Sequence, residues 1–212
     1  MSALRPHMND NEYEPRGWHS RGYLPHFDGG EILQFVTIRL ADSLPAHLLD
    51  VWRVELELEK VEDKNAALRK RIEYYLDQGH GNCYLQVKEI AEIVKNSLLH
   101  LNDKKYRLIA WVIMPNHIHF LVRLLPGVSL SSTIQVLKGF SAREANKVLE
   151  RGGAFWQADY FDRYIRNEKH FLATLSYIEN NPVKAALCVV KEEWFFSSAY
   201  LDKSKEREQE SE

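Results

Sequence analysis

The stretch "YRLIAWVIMPNHIHFLVRLL", from Tyr106 to Leu125, constrains the fold of this chain more than any other. Two apolar runs flank Pro115-Asn116, the pattern of a tight antiparallel hairpin. Its second run holds two histidines. Successive side chains of a strand point to opposite faces, so His117 and His119 emerge together, with Asn116, Ile118 and Phe120 on the other side. Imidazoles packed under helices leave ring nitrogens in need of partners. The expectation is therefore that the pair faces an open side of the sheet.

The remaining elements follow from periodicity. "ILQFVTIRL" (Ile32 to Leu40) reads as a first strand. Ser43 and Pro45 then open a helical pattern that runs from Ala46 to Leu76 through Leu48, Val51, Trp52, Leu56, Val61, Leu68 and Ile72. Gly79 to Asn82 breaks the chain, and Val87 to Leu101 is a second amphipathic helix. After the hairpin, Ser129 to Leu149 is helical, "AFWQADYFDRYI" holds a short strand, and Glu168 to Asn180 is helical until Pro182 interrupts it. The order predicts an α+β fold, a ferredoxin-like (RRM-like) β-α-β-β-α-β sandwich. Its antiparallel sheet carries helices on one face, and a helical segment is inserted at about 46–101. Residues 1–30 lack periodicity and read as an extended arm, 31–195 as the domain, and 196–212 as a charged tail.

No apolar run approaches the roughly 20 residues of a membrane span, and no signal segment opens the chain, so a cytoplasmic location is expected. Cys83 and Cys188 form no paired motif, which points to reduced thiols. The net charge of −2 resides wholly in the tail from Asp202 to Glu212. A neutral domain binds nucleic acid only through a local surface. The arm offers one such surface, where "WHSRGYLPHFD" interleaves aromatic and basic residues and Arg21, Tyr23 and His26 are the candidate contacts, with an arm that simply packs on the domain surface as the alternative. Lys138, Arg163 and Arg166 are candidates for DNA phosphates, with solvated surface charge as the alternative for each.

His-x-His on a strand is a metal-binding spacing, although a structural pair gives the same spacing. Cysteines suited to complete a zinc site are absent nearby. Two ligands from one strand and one from elsewhere suit Mg2+ or Mn2+ with positions left for a phosphate.

"WVIMPNHIHFLVR", "FWQADYFDRYIR" and "YIENNPVKAAL" resemble, in order, three signature blocks of the single-tyrosine HUH transposases. They are most similar to the bacterial REP-associated tyrosine transposases, and "RGYLPHFD" and "FVTIRLADSLP" resemble that same branch. The resemblance covers about residues 16 to 195. It implies a metal-dependent nuclease and strand transferase for single-stranded or hairpin DNA, with repetitive extragenic palindromes as substrate. It further implies His117 and His119 as ligands of a divalent cation, Asn181 as the third ligand, and Tyr177 as a nucleophile that forms a 5′-phosphotyrosine. On a helix, Tyr177 and Asn181 at i and i+4 share a face. Tyr160 and Tyr164 are rival nucleophiles. Self-contained packing around the "NNP" break favours a monomer over a dimer. The alternatives are a module of the same fold that binds nucleic acid without cutting it, and a metal phosphodiesterase that does not use the tyrosine.

Overall fold

The computed structural model describes residues 17–20 and 25–201. Strands β1 (Gly17–Ser20) and β2 (Pro25–Asp28) pair antiparallel within the segment expected to be an extended arm. There follow β3 (Leu33–Arg39), α1 (Ala46–Leu58), α2 (Lys64–Asp77), α3 (Lys88–Leu101), β4 (Tyr106–Ile113) and β5 (His117–Leu124). The chain continues with α4 (Leu130–Val148), β6 (Phe161–Tyr164) and α5 (Glu168–Lys184). The main sheet runs β4-β5-β3-β6 with every neighbour antiparallel. That is the strand order of the ferredoxin-like sandwich expected from the sequence.

Alternation on β3 and β5 sends apolar residues to both faces. Val36, Ile38, Ile118, Phe120 and Val122 join Ile90, Val94 and Leu98 of α3 and Ile134 and Leu137 of α4 in the larger core. Phe35, Val112 and Leu121 point the other way, against Ile178 of α5. The second face is therefore not open. Helix α5 covers it, because Phe35 and Leu121 need burial as much as their neighbours do. His117 and His119 lie on this covered face at 0% and 1% exposure.

The helical pattern from Ala46 to Leu76 is two helices. Lys60 adopts a positive φ of 52°, and Asp63 caps α2 by accepting from Ala66 N at 2.8 Å. The helices fold back on each other around Leu44, Leu49, Leu56 and Leu68. Arg71 ties them by ion pairs to Glu55 at 2.5 Å and Glu59 at 2.8 Å. Ser43 does not cap α1; its hydroxyl donates to Leu40 O at 2.8 Å, and Pro45 takes the cap position.

Residues 196–198 lie along β4. Ile113 N donates to Phe196 O at 2.8 Å and Ser198 N to Trp111 O at 2.9 Å. These bonds give the edge of β4 partners. The acidic run 202–212 lies outside the described residues. Among the described residues no helix is long and apolar enough to cross a membrane.

Candidate active site

The turn between β4 and β5 sets the first imidazole. Asn116 is fully buried, and its amide nitrogen donates to Leu76 O at 3.1 Å and His80 O at 2.9 Å, at the end of α2. Those two carbonyls fix which way the amide faces. Its oxygen must then accept from His117 Nδ1, 2.7 Å away, so Nε2 of His117 keeps its lone pair. Across the β3–β5 ladder Thr37 pairs with His119, and Thr37 Oγ1 stands 2.8 Å from His119 Nδ1. A hydroxyl can either donate or accept, so His119 is free to present Nε2 with or without its proton.

The two Nε2 atoms meet at 3.0 Å. Burial lowers the pKa of His117 to about 3, with the Lys184 charge adding to the effect. Burial, then His117 and Lys184, hold His119 well below its ordinary value. Both rings are neutral at physiological pH and offer lone pairs rather than charge.

Helix α5 brings the tyrosine. Tyr177 Oη stands 3.3 Å from His119 Nε2, and its ring meets Phe35 edge-on at 5.9 Å while Phe35 stacks on His119 at 5.3 Å. Burial pushes the phenol's pKa up, and the carboxylates of Glu73 and Asp77 on α2 push it further. Of the three tyrosines considered, Tyr177 is the one bonded to the histidine pair. Tyr160 instead packs on the His26 ring at 4.6 Å, and Tyr164 sits in β6 opposite Gln34.

Asn181 follows one turn later, fully buried, with neither amide atom hydrogen-bonded. Pro182 does not end the helix at Asn180. The chain stays helical to Lys184, and Ala185 N still reaches Asn181 O at 3.0 Å. A proline in the last turn removes one intrahelical donor where few remain to be lost. Asn181 thus keeps its i+4 relation to Tyr177.

The donors present fit a divalent cation. Two imidazole nitrogens stand 3.0 Å apart, the separation expected of adjacent ligands about 2.1 Å from an octahedral ion, and a buried amide without partners lies one turn beyond Tyr177 on α5. No cluster of three or more His, Cys, Asp or Glu side chains suited to a metal occurs among the described residues. That composition leaves ligand positions open.

The candidate DNA contacts are dispersed. Arg163 lies within the site, its guanidinium 5.5 Å from the Phe35 centroid, and burial lowers its pKa. Arg166 is exposed beyond β6. Lys138 gives its ammonium to Gln157 O and Ala158 O, each at 2.7 Å. His26 is buried between Asp159, at 2.9 Å, and Asp162, and it pins β2 to β6. Burial opposes its charge, but the two carboxylates prevail and raise its pKa to about 9. His26 therefore does not face solvent, where DNA would meet it. Arg21 and Tyr23 lie outside the described residues.

Sequence reasoning missed Thr37, Asn116, Glu73, Asp77 and Lys184. Only Asn116 left a signal, as a turn residue adjacent to a histidine.

Residues 82–181 match the family model described as "Transposase IS200 like". An uncharacterized protein of Haemophilus influenzae is 26% identical over 125 residues, spanning 48% of this chain and 69% of that one. The REP-associated tyrosine transposase of Escherichia coli K12 is 28% identical over 102 residues, spanning 47% of this chain and 58% of its own length. In backbone, the chain is similar to a REP-associated tyrosine transposase solved bound to a REP hairpin. The TM-score is 0.54 at 18% identity, covering 85% of this chain and 81% of the other.

Proposed function

We propose, because residues 82–181 match the family model described as "Transposase IS200 like", that this protein cuts and rejoins single-stranded DNA through Tyr177. The observation that carries the reading is the meeting of Tyr177 Oη, 3.3 Å from His119 Nε2, with a neutral imidazole pair 3.0 Å apart. The substrate is a hairpin of the repetitive extragenic palindrome type, the ligand of the transposase with the similar backbone. Such DNA places the work on the chromosome, in the cytoplasm.

His117, His119 and Asn181 would hold Mg2+ or Mn2+. When bound, the cation polarises the scissile phosphate and stabilises the charge that develops on it. The chain's own residues do the rest. Burial keeps the imidazoles neutral, so their lone pairs are not lost to protons at pH 7. Helix α5 and Phe35 hold the Tyr177 ring with its oxygen at the pair, so attack needs no search for orientation. Tyr177 Oη bonds to phosphorus as the bond to the 3′ oxygen breaks. The phenol gives up its proton and the leaving 3′ hydroxyl gains one. The product is a 5′-phosphotyrosine that conserves the diester bond for rejoining. Arg163 adds positive charge beside Phe35. The tyrosine and both histidines belong to one chain, so a monomer suffices.

The test is trapping with a labelled hairpin that carries a single-stranded foot, in Mn2+. Wild-type protein should become covalently attached, with the nucleotide on Tyr177 by mass spectrometry. Tyr177→Phe should bind the hairpin and form no adduct. An adduct on Tyr160 or Tyr164, or cleavage that persists in Tyr177→Phe, overturns the mechanism.

A further inference from the structure

Helix α2 ends at Asp77, before the segment that matches the transposase family begins. Its carboxylate nevertheless reaches the catalytic helix. The side chain is 8% exposed, and Oδ2 accepts from Lys184 Nζ at 2.5 Å. Oδ1 is buried without a hydrogen-bond partner, as are both amide atoms of Asn181. The Asn181 amide lies against Asp77, where it partly offsets the burial that raises the carboxyl's pKa. It also lies against the Tyr177 hydroxyl. Lys184, Asp77, Asn181 and Tyr177 therefore form one row that ends at the histidine pair.

A carboxamide has a donor end and an acceptor end, and only the oxygen can ligate a cation. Nothing within Asn181 decides which end faces the imidazoles. A buried carboxylate beside it does decide. It attracts the NH2 end, whereas the reversed amide would press two oxygens together where no water screens them. Lys184 pairs with that carboxylate at 2.5 Å and fixes where it stands beside α5.

We propose that Asp77, held by Lys184, is a positioning residue for the reaction, orienting the Asn181 amide so that its oxygen faces His117 and His119. The inserted helical hairpin thereby supplies part of the cation site's outer shell. The proposal rests on the reading that His117, His119 and Asn181 hold a divalent cation. Outer-shell partners of this kind change metal affinity by roughly 10- to 100-fold when removed.

The experiment uses the full chain with Tyr177→Phe, so that nothing turns over, and measures Mn2+ affinity by titration alongside hairpin binding. Asp77→Ala should weaken Mn2+ by about 10- to 100-fold and leave hairpin binding within about twofold. Asp77→Asn, which keeps an oxygen for the Asn181 NH2, should retain most of the affinity. Lys184→Met should fall between the two. In the metal-free protein the Asn181 side-chain amide signals should shift in Asp77→Ala and not in Asp77→Asn. Unchanged Mn2+ affinity in Asp77→Ala, or equal losses in Ala and Asn, overturns the proposal. Should Asp77→Ala fail to fold, Asp77→Asn and Lys184→Met decide it: a Lys184→Met protein with wild-type affinity and unmoved Asn181 signals counts against it. If His117→Ala keeps full Mn2+ affinity, the cation reading itself fails, and the metal-free amide signals still report on the contact between Asp77 and Asn181.

Discussion

The amide of Asn116 gives its hydrogens to Leu76 O and His80 O, which turns its oxygen to His117 Nδ1 at 2.7 Å. Asn116→Ala removes that acceptor and strands two carbonyls at the end of α2. Mn2+ affinity should fall about 10- to 100-fold, with a loss of about 1–3 kcal/mol in stability by denaturant titration. Wild-type affinity in this variant would show that the His117 tautomer is set elsewhere. Thr37 holds the His119 ring at 2.8 Å from a strand 82 positions away without fixing its tautomer. Its role could not be read from the sequence, because it depends on the register that seats Thr37 opposite His119. The histidines themselves were legible, since a period of two places them on one face. Their burial was not, because the residues that cover them arrive on α5.

At the scale of elements, strands written in consecutive apolar residues were legible and the helical insertion was only half so. Leu56, Val61 and Leu68 carry an apolar rhythm across the break, and the turn at Lys60 uses a positive φ that a lysine does not advertise. Pro182 misled in the opposite sense, because a helix in its last turn can carry a proline. The packing of residues 196–198 on β4 was hidden for another reason: Phe196 and Ser197 adjoin a charged run and read as tail. Truncation after Glu193 should therefore matter. It removes the backbone bonds to Ile113 and Trp111 and the Trp194 Nε1 bond to Ile113 O, leaving an apolar edge strand bare. Light scattering should show concentration-dependent association, and thermal melting a lower Tm. A monomeric truncation with unchanged Tm would mean that β4 tolerates an open edge.

Across the whole molecule, titration pulls in two directions. His26 has its folded pKa raised to about 9 by Asp159 and Asp162 against burial. Its contribution is complete below its unfolded value near 6.5 and is lost as pH rises through 9. His117, with a folded pKa lowered to about 3, costs stability as pH falls below 6.5, because the unfolded chain then takes up a proton that the buried ring refuses. Thermal stability should peak near neutrality. His26→Gln should flatten the alkaline limb, and His117→Ala should soften the acid one. An alkaline limb of unchanged slope in His26→Gln would detach the β2–β6 pin from the pH response.

Two imidazole nitrogens clamped 3.0 Å apart also carry a consequence for mass action. Any cation that both nitrogens accept binds the native chain and not the unfolded one, which lacks the turn and ladder that bring the rings together. Its binding free energy is then added to the folding equilibrium, by about 2.7 kcal/mol at a concentration one hundred times Kd. Manganese should raise the melting temperature of Tyr177→Phe protein in the absence of DNA. A chelator should return it to baseline, and the double variant His117→Ala/His119→Ala should melt at one temperature with or without the ion.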